Sequence, residues 1–270
     1  MGYPIANRMH SLGHEVRSWT RSEKSVPWQN STNLDAGVEI PLDLLFIASG
    51  GARPNLASHE LEVETTQHLV SKFKLSTNTK VLYISSGAVY GECSIPQSEI
   101  DDPRPTTEYG KAKLFVEKKL REIYGDQLSV LRVGNLIDEE NPYGIVAHLA
   151  TSIRNGVLQA LGEPADCRDY LGILDFLDCI ERLTEIDPIP KLLNIGSGTS
   201  ISLEQIVRLS NEIFGDRLEI HWGKRRSGDL SQTRLDTTKM RHLLKIKQED
   251  PIKILEGLMN SMNLSNHLGN

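Results

Sequence analysis

Residues 81–91 read VLYISSGAVYG, an apolar, partly β-branched run that ends in Ser85, Ser86 and Gly87. Apolar residues on consecutive positions suit a strand buried on both faces, as in a parallel sheet. A hydroxyl at the end of such a strand, here Ser86, points into the crevice where open α/β sheets bind ligands. Downstream, EYGKAK (residues 108–113) opens an amphipathic stretch, with Pro105 and Thr106 or Thr107 as start signals. Its expected apolar stripe is Ala112, Val116, Leu120 and Ile123. Tyr109 and Lys113 are four apart, so they share one helical face a single turn from each other. An ammonium beside a phenol favours the phenolate and lowers a tyrosine pKa from its ordinary ~10, making it a base usable near neutrality.

Working outward, further strands are expected at His14–Trp19, Leu44–Ala48, Leu128–Val133 and Leu192–Ile195. Helices are expected at Ile5–Leu12, His59–Phe73, Glu108–Ile123, Asp175–Thr184 and Leu203–Phe214. The last third mixes short strands with helices near Thr237–Leu244 and Pro251–Met259. Strand–helix–strand alternation implies right-handed crossovers, so the fold class is α/β with a parallel sheet covered on both faces.

The composition excludes several function classes. Thirty Lys+Arg against thirty-six Asp+Glu give a net charge of −6, which offers no basic surface for nucleic acid. No apolar stretch approaches the ~18 residues of a membrane span. The opening MGYPIANRMHSLGHEV has neither the apolar region nor the cleavage site of a signal peptide. Cys93, Cys167 and Cys179 are odd in number and far apart, so neither a disulfide framework nor a cysteine metal site is expected. The eight histidines show no paired ligand spacing, and no metal is expected. The expected location is the cytoplasm.

The order of motifs resembles the extended short-chain dehydrogenase/reductase family, the NAD-dependent epimerase/dehydratase group that works on nucleotide sugars. The matching pieces begin with GHEVRSWTR (13–21), DLLFIASGGA (43–52) and SSGAVYG with Tyr109-x-x-x-Lys113. They continue with LRVGN (131–135), RDYLGILD (168–175), NIGSG (194–198) and RRSGD (225–229). The resemblance implies a Rossmann-type doubly wound lobe over 1–138 and 170–200. It implies a smaller mixed α/β substrate lobe over 139–169 and 201–262, with a tail at 263–270. It further implies that Ser86, Tyr109 and Lys113 are catalytic: Ser86 orients the substrate oxygen, Tyr109 is the acid/base, and Lys113 also holds the nicotinamide ribose. Asn135, Arg168 and Arg226 are expected on the nucleotide diphosphate, where the planar arginine fork suits phosphate oxygens, with Asp229 beside the nucleoside. Gly2, Thr20, Arg21, Ala48 and Ser49 are expected on the dinucleotide, together with Tyr109 and Lys113. The resemblance also allows a homodimer.

Three departures from the family pattern sharpen these expectations. The family's G-x-x-G-x-x-G follows the first strand, but here Gly2 stands eleven residues before Gly13, where the third glycine belongs. The first strand and two glycines are therefore expected to be lacking, with Met1 an internal methionine of a longer reading frame. After the second strand Thr20 and Arg21 replace the acid that reads a ribose 2′-hydroxyl, so the cofactor is expected to be NADP or NAD, with the Arg21 cation favouring NADP. Gly87 and Ala88 replace the acid pair that dehydration needs, leaving epimerisation through a transient ketone or reduction of a keto-sugar. A noncatalytic NAD(P)-binding module, or an inactive truncated product, is the reading from another class.

Overall fold

The structure, a computed structural model, describes residues 1–19, 29–31, 42–48, 64, 66, 75–140 and 142–268. The first half runs α1 (Gly2–Ser11), β1 (Arg17–Trp19), β2 (Gln29–Ser31), β3 (Leu44–Ile47), β4 (Lys80–Ser86) and α2 (Glu108–Tyr124). Then follow β5 (Leu128–Val133), β6 (Asn135–Ile137), α3 (Ile145–Asn155), β7 (Val157–Leu161), β8 (Cys167–Gly172) and α4 (Ile173–Thr184). The chain continues through β9 (Leu192–Ile195), β10 (Ser200–Ser202), α5 (Leu203–Phe214), β11 (Glu219–Gly223) and β12 (Gln232–Thr233). It closes with α6 (Thr238–Leu244) and α7 (Pro251–Leu268).

β3, β4, β5 and β9 form one parallel sheet in that order. Every residue of β5 is buried, as befits a strand with a neighbour on each side and helices over both faces. On one face Val81 and Tyr83 of β4 and Val130 of β5 meet Val116, Leu120 and Tyr124 of α2. On the other, Leu82, Ile84, Leu131 and Val133 meet Ile5 and Met9 of α1, Phe176 and Ile180 of α4, and Met240 of α6. The sheet is thus doubly wound. Among the described residues β1 pairs only with β2, and β3 only with β4, so these strands belong to two separate sheets.

A second core gathers Val146 and Leu149 of α3, Leu158 of β7, Tyr170 of β8, Ile206 of α5 and Leu255 and Leu258 of α7. Beside it β8 pairs with β6, β10 and β12, and β7 forms a parallel pair with β11. β8 itself runs across the lobe boundary expected between residues 169 and 170.

Several element bounds differ from expectation. β1 begins at Arg17 rather than His14, because the His14 N–H still bonds the Met9 carbonyl at the end of α1. The inward face of α2 carries Lys113, Val116, Glu117, Leu120 and Tyr124, while Ile123 is 53% exposed. Two charged residues occupy that face because their partners lie beneath it, and their inward turn carries Ile123 out. α7 continues past Met259 to Leu268, through most of the expected tail. The helix expected at His59–Phe73 lies outside the described residues except at Glu64 and Thr66, which are helical. Among the described residues no helix is long and apolar enough to cross a membrane. The three cysteines are free and buried.

Candidate active site

Ser86 closes β4 and its hydroxyl accepts the Ala88 N–H at 3.2 Å, capping the 3-10 turn Gly87–Tyr90. Thr107 is the residue that starts α2: its hydroxyl accepts the Gly110 N–H at 3.0 Å. That start places half-buried Tyr109 in the first turn and Lys113 one turn later. Lys113 is buried, and its Nζ donates to the Ile84 carbonyl oxygen at 3.5 Å. The same Nζ lies 5.8 Å from the centre of the Tyr109 ring and 5.3 Å from that of Tyr83. The ammonium is therefore tied to the backbone two residues before Ser86, on the helix face that carries Tyr109. Gly110 permits this approach, since a Cβ there would stand 2.4 Å from the Ala88 carbonyl oxygen.

The expected substrate residues lie around β8. Asn135 of β6 pairs with Tyr170, and Thr233 of β12 pairs with Arg168. With side chains alternating along a strand, Asn135, Arg168, Tyr170 and Thr233 share one face of this sheet. Asn135 Nδ2 donates to the Asp169 carbonyl oxygen at 3.2 Å, and Arg168 Nη1 donates to that of Ser231 at 3.0 Å. Burial pushes the Tyr170 hydroxyl up to about 12, with the Arg168 cation pulling it down and the Asp229 carboxylate pushing it further up. Both charges are thus felt at one phenol. Arg226 is exposed, and its charge adds to the burial that holds His148 of α3 below the usual histidine range. Its neighbour Arg225 forms a two-pronged ion pair with Asp166, at 2.8 and 2.7 Å. Of the two arginines, the structure thus holds Arg225 in place and leaves Arg226 free of that pair.

On the cofactor side, Gly2 opens α1 beside the end of β3, where a Cβ on Gly2 would meet the Ala48 Cβ at 3.8 Å. Among the described residues no side chain caps this helix start, so its first-turn N–H groups suit an anion. Thr20, Arg21 and Ser49 lie outside the described residues.

One buried acid escaped the sequence reading. Asp169 accepts the Ser197 and Gly198 N–H groups, both at 2.9 Å, and binds the β9–β10 loop to β8. Burial pushes its carboxyl up to about 6, against these donors and the Arg241 cation, which pull it down. A carboxyl raised in the folded state stabilises the fold fully only below its unfolded value, and the contribution fades as pH rises through the folded value. Denaturant unfolding is therefore expected to show a contribution of about 3 kcal/mol that fades between about pH 4 and pH 6. Asp169→Asn removes that slope; a slope unchanged by the substitution refutes the assignment. Apart from Thr107, whose place before Glu108 marks it, the sequence carried no signal for these roles, because the partners are distant in the chain.

Residues 1–196 match the model of the NAD dependent epimerase/dehydratase family. The UDP-glucose 4-epimerase of Lacticaseibacillus casei is 29% identical over 209 residues, covering 67% of this chain and 63% of that protein. The dTDP-4-dehydro-6-deoxyglucose reductase of Escherichia coli is 31% identical over 138 residues, or 47% of this chain and 43% of that protein. The chain thus matches between 43% and 63% of the length of these two curated relatives. Among solved structures, an NAD-dependent NDP-hexosamine 5,6-dehydratase of tunicamycin biosynthesis superposes with a TM-score of 0.81 at 19% identity, covering 98% of this chain and 94% of that one. The UDP-glucose 4-epimerase of Thermotoga maritima gives 0.77 at 20% identity, with 100% and 96% covered. Both likenesses show the fold.

Proposed function

Because this chain belongs to the NAD dependent epimerase/dehydratase family, we propose that it acts on a nucleotide sugar by hydride transfer, with Ser86, Tyr109 and Lys113 as its catalytic set. The observation that carries the reading is the buried Lys113, held at the Ile84 carbonyl on the helix face of Tyr109, one strand end from Ser86. Ser86 orients the substrate hydroxyl, and Tyr109 takes its proton. Bound NAD(P) supplies the acceptor for the hydride that leaves the same carbon, so that a ketone results. Return of the hydride to the other face gives the epimer, and the reverse half-reaction alone reduces a keto-sugar. Asn135, Arg168 and Arg226 bind the diphosphate, with Asp229 at the nucleoside.

The residues in place fit a dinucleotide. Gly2 and Ala48 stand side by side at the start of α1, whose N–H groups would suit a pyrophosphate oxygen, and Lys113 would hold the nicotinamide ribose. Elimination of water from the sugar is disfavoured. Gly87 and Ala88 carry no carboxyl group to protonate the leaving hydroxyl. The likeness to the Escherichia coli reductase favours keto-sugar reduction as the second reading.

Fluorescence titration with NADH and NADPH tests the premise of dinucleotide binding, and a screen of nucleotide sugars then identifies the substrate. In this proposal Arg21 reads the 2′-phosphate. Arg21→Ala is expected to raise the NADPH dissociation constant by about tenfold or more, since a hydrogen bond to a charged group contributes about 1.5–3 kcal/mol. NADH binding changes much less. Equal effects on the two count against NADP, and binding of neither leaves no basis for the enzyme reading.

A further inference from the structure

Beneath Ser86, Tyr109 and Lys113 runs a chain of buried polar side chains that the proposed chemistry does not use. Ser85 and Arg132 are opposite each other in the β4–β5 ladder, so both side chains face α2. Glu117, one turn beyond Lys113, receives both of them. Its Oε1 accepts the Ser85 hydroxyl at 2.5 Å and Arg132 Nε at 3.2 Å, and its Oε2 accepts Arg132 Nη2 at 2.8 Å. Ser85, Glu117 and Arg132 are 4%, 7% and 4% exposed, so solvent screens none of these contacts. The Arg132 guanidinium also stacks 4.7 Å above the centre of the Tyr90 ring. Tyr90 ends the turn that Ser86 begins, and its hydroxyl donates to Asn194 Oδ1 at 2.9 Å.

Arg132 therefore touches both elements that carry the reacting groups: α2 through Glu117, and the Ser86 turn through Tyr90. A buried ion pair is a poor device for stability, because taking two charges out of water offsets their attraction. Arg132 Nη1 is itself buried without a partner among the described residues, which adds to that cost. What the pair does provide is direction, since a planar guanidinium meets a carboxylate in one geometry.

We infer that Glu117 and Arg132 are positioning residues, which hold the turn of α2 bearing Tyr109 and Lys113 at a set distance from the strand end bearing Ser86. The inference rests on the reading of those three residues as the catalytic set. A reacting group displaced by about 1 Å loses about a hundredfold in rate, so the effect belongs in kcat.

The test is the double variant Glu117→Leu/Arg132→Met, which removes both charges and leaves neither buried alone. The expected result is a melting temperature near that of the wild type with kcat lower by about 10- to 100-fold. KM for the nucleotide sugar and the dinucleotide dissociation constant stay within about twofold, because the groups that grip substrate lie on β6, β8 and the 225–229 turn. Glu117→Asp keeps the charge but shortens the tie by one methylene, and it too loses kcat without loss of binding. A kcat within about twofold of wild type in both variants overturns the inference, and so does a fall in kcat matched by a rise in KM. A double variant that cannot fold makes the pair a folding requirement and overturns it as well. Crystal structures of wild type and double variant decide the point without turnover. Displacement of Lys113 Nζ from Ser86 Oγ by about 1 Å supports it, and superposition of the two sites overturns it. A wild-type chain that turns over no nucleotide sugar refutes the catalytic reading, while the two structures still decide what the pair does.

Discussion

In the Tyr109→Phe variant, the proposed turnover of a nucleotide sugar is expected to fall by about 10²- to 10⁴-fold, the usual contribution of a positioned acid/base. Melting temperature and dinucleotide binding stay close to wild type. The separation of effects follows from the geometry. Phenylalanine keeps the ring that lies 5.8 Å from Lys113 Nζ, and it keeps the start of α2, which depends on Thr107 and Gly110. Only the hydroxyl proposed to exchange the proton is lost. Stopped-flow or steady-state assay of nicotinamide absorbance checks this, and full activity in the variant refutes the acid/base role of Tyr109.

The second large effect is steric. Alanine normally favours a helix over glycine by about 1 kcal/mol, so Gly→Ala within α2 ought to stabilise the protein. At Gly110 the sign reverses, because a Cβ would lie 2.4 Å from the Ala88 carbonyl oxygen and 3.0 Å from Pro105 Cβ. Backbone cannot rotate away as a side chain can, so the helix start and the turn after Ser86 must separate. Gly110→Ala is expected to cost about 3 kcal/mol and to lower the melting temperature by about 10 °C. Turnover falls as well, since the same displacement moves Tyr109 from Ser86. Gly257 of α7 is the control: it is exposed, and a Cβ there meets nothing within 4 Å. Gly257→Ala is expected to raise stability by about 1 kcal/mol. Calorimetry of both variants checks the pair, and a Gly110→Ala protein as stable as the Gly257→Ala one overturns the close-approach argument.

The apolar runs at 44–48, 81–85, 128–133 and 192–195 were legible as parallel strands, and the sheet uses all four. In 81–85, 128–133 and 192–195 buried residues lie on consecutive positions, which no helix of ordinary amphipathic pattern requires, while 44–48 alternate buried with half-buried residues. The start of α2 was legible to within one residue, since Thr107 caps it. Its inward face was less so. Ile123 continues the apolar stripe on paper, yet Tyr124 is buried in its stead, because Lys113 and Glu117 turn inward to polar partners on β4 and β5. Likewise the pattern RRSGD does not tell its two arginines apart. Asp166, fifty-nine positions earlier, binds Arg225 and leaves Arg226 exposed.

By itself the sequence determined the α/β class, the four strands of the main parallel sheet, and the spacing that puts Tyr109 and Lys113 on one helical face. Each of these depends on residues within a single turn or strand, where backbone geometry converts spacing directly into direction. Only the tertiary structure decided what stands around that face. Glu117 and Arg132 are fifteen positions apart, Asp169 and Ser197 twenty-eight, and Tyr90 and Asn194 one hundred and four. Such partners are chosen by strand order and register, and a buried charge takes whichever partner the fold brings to it.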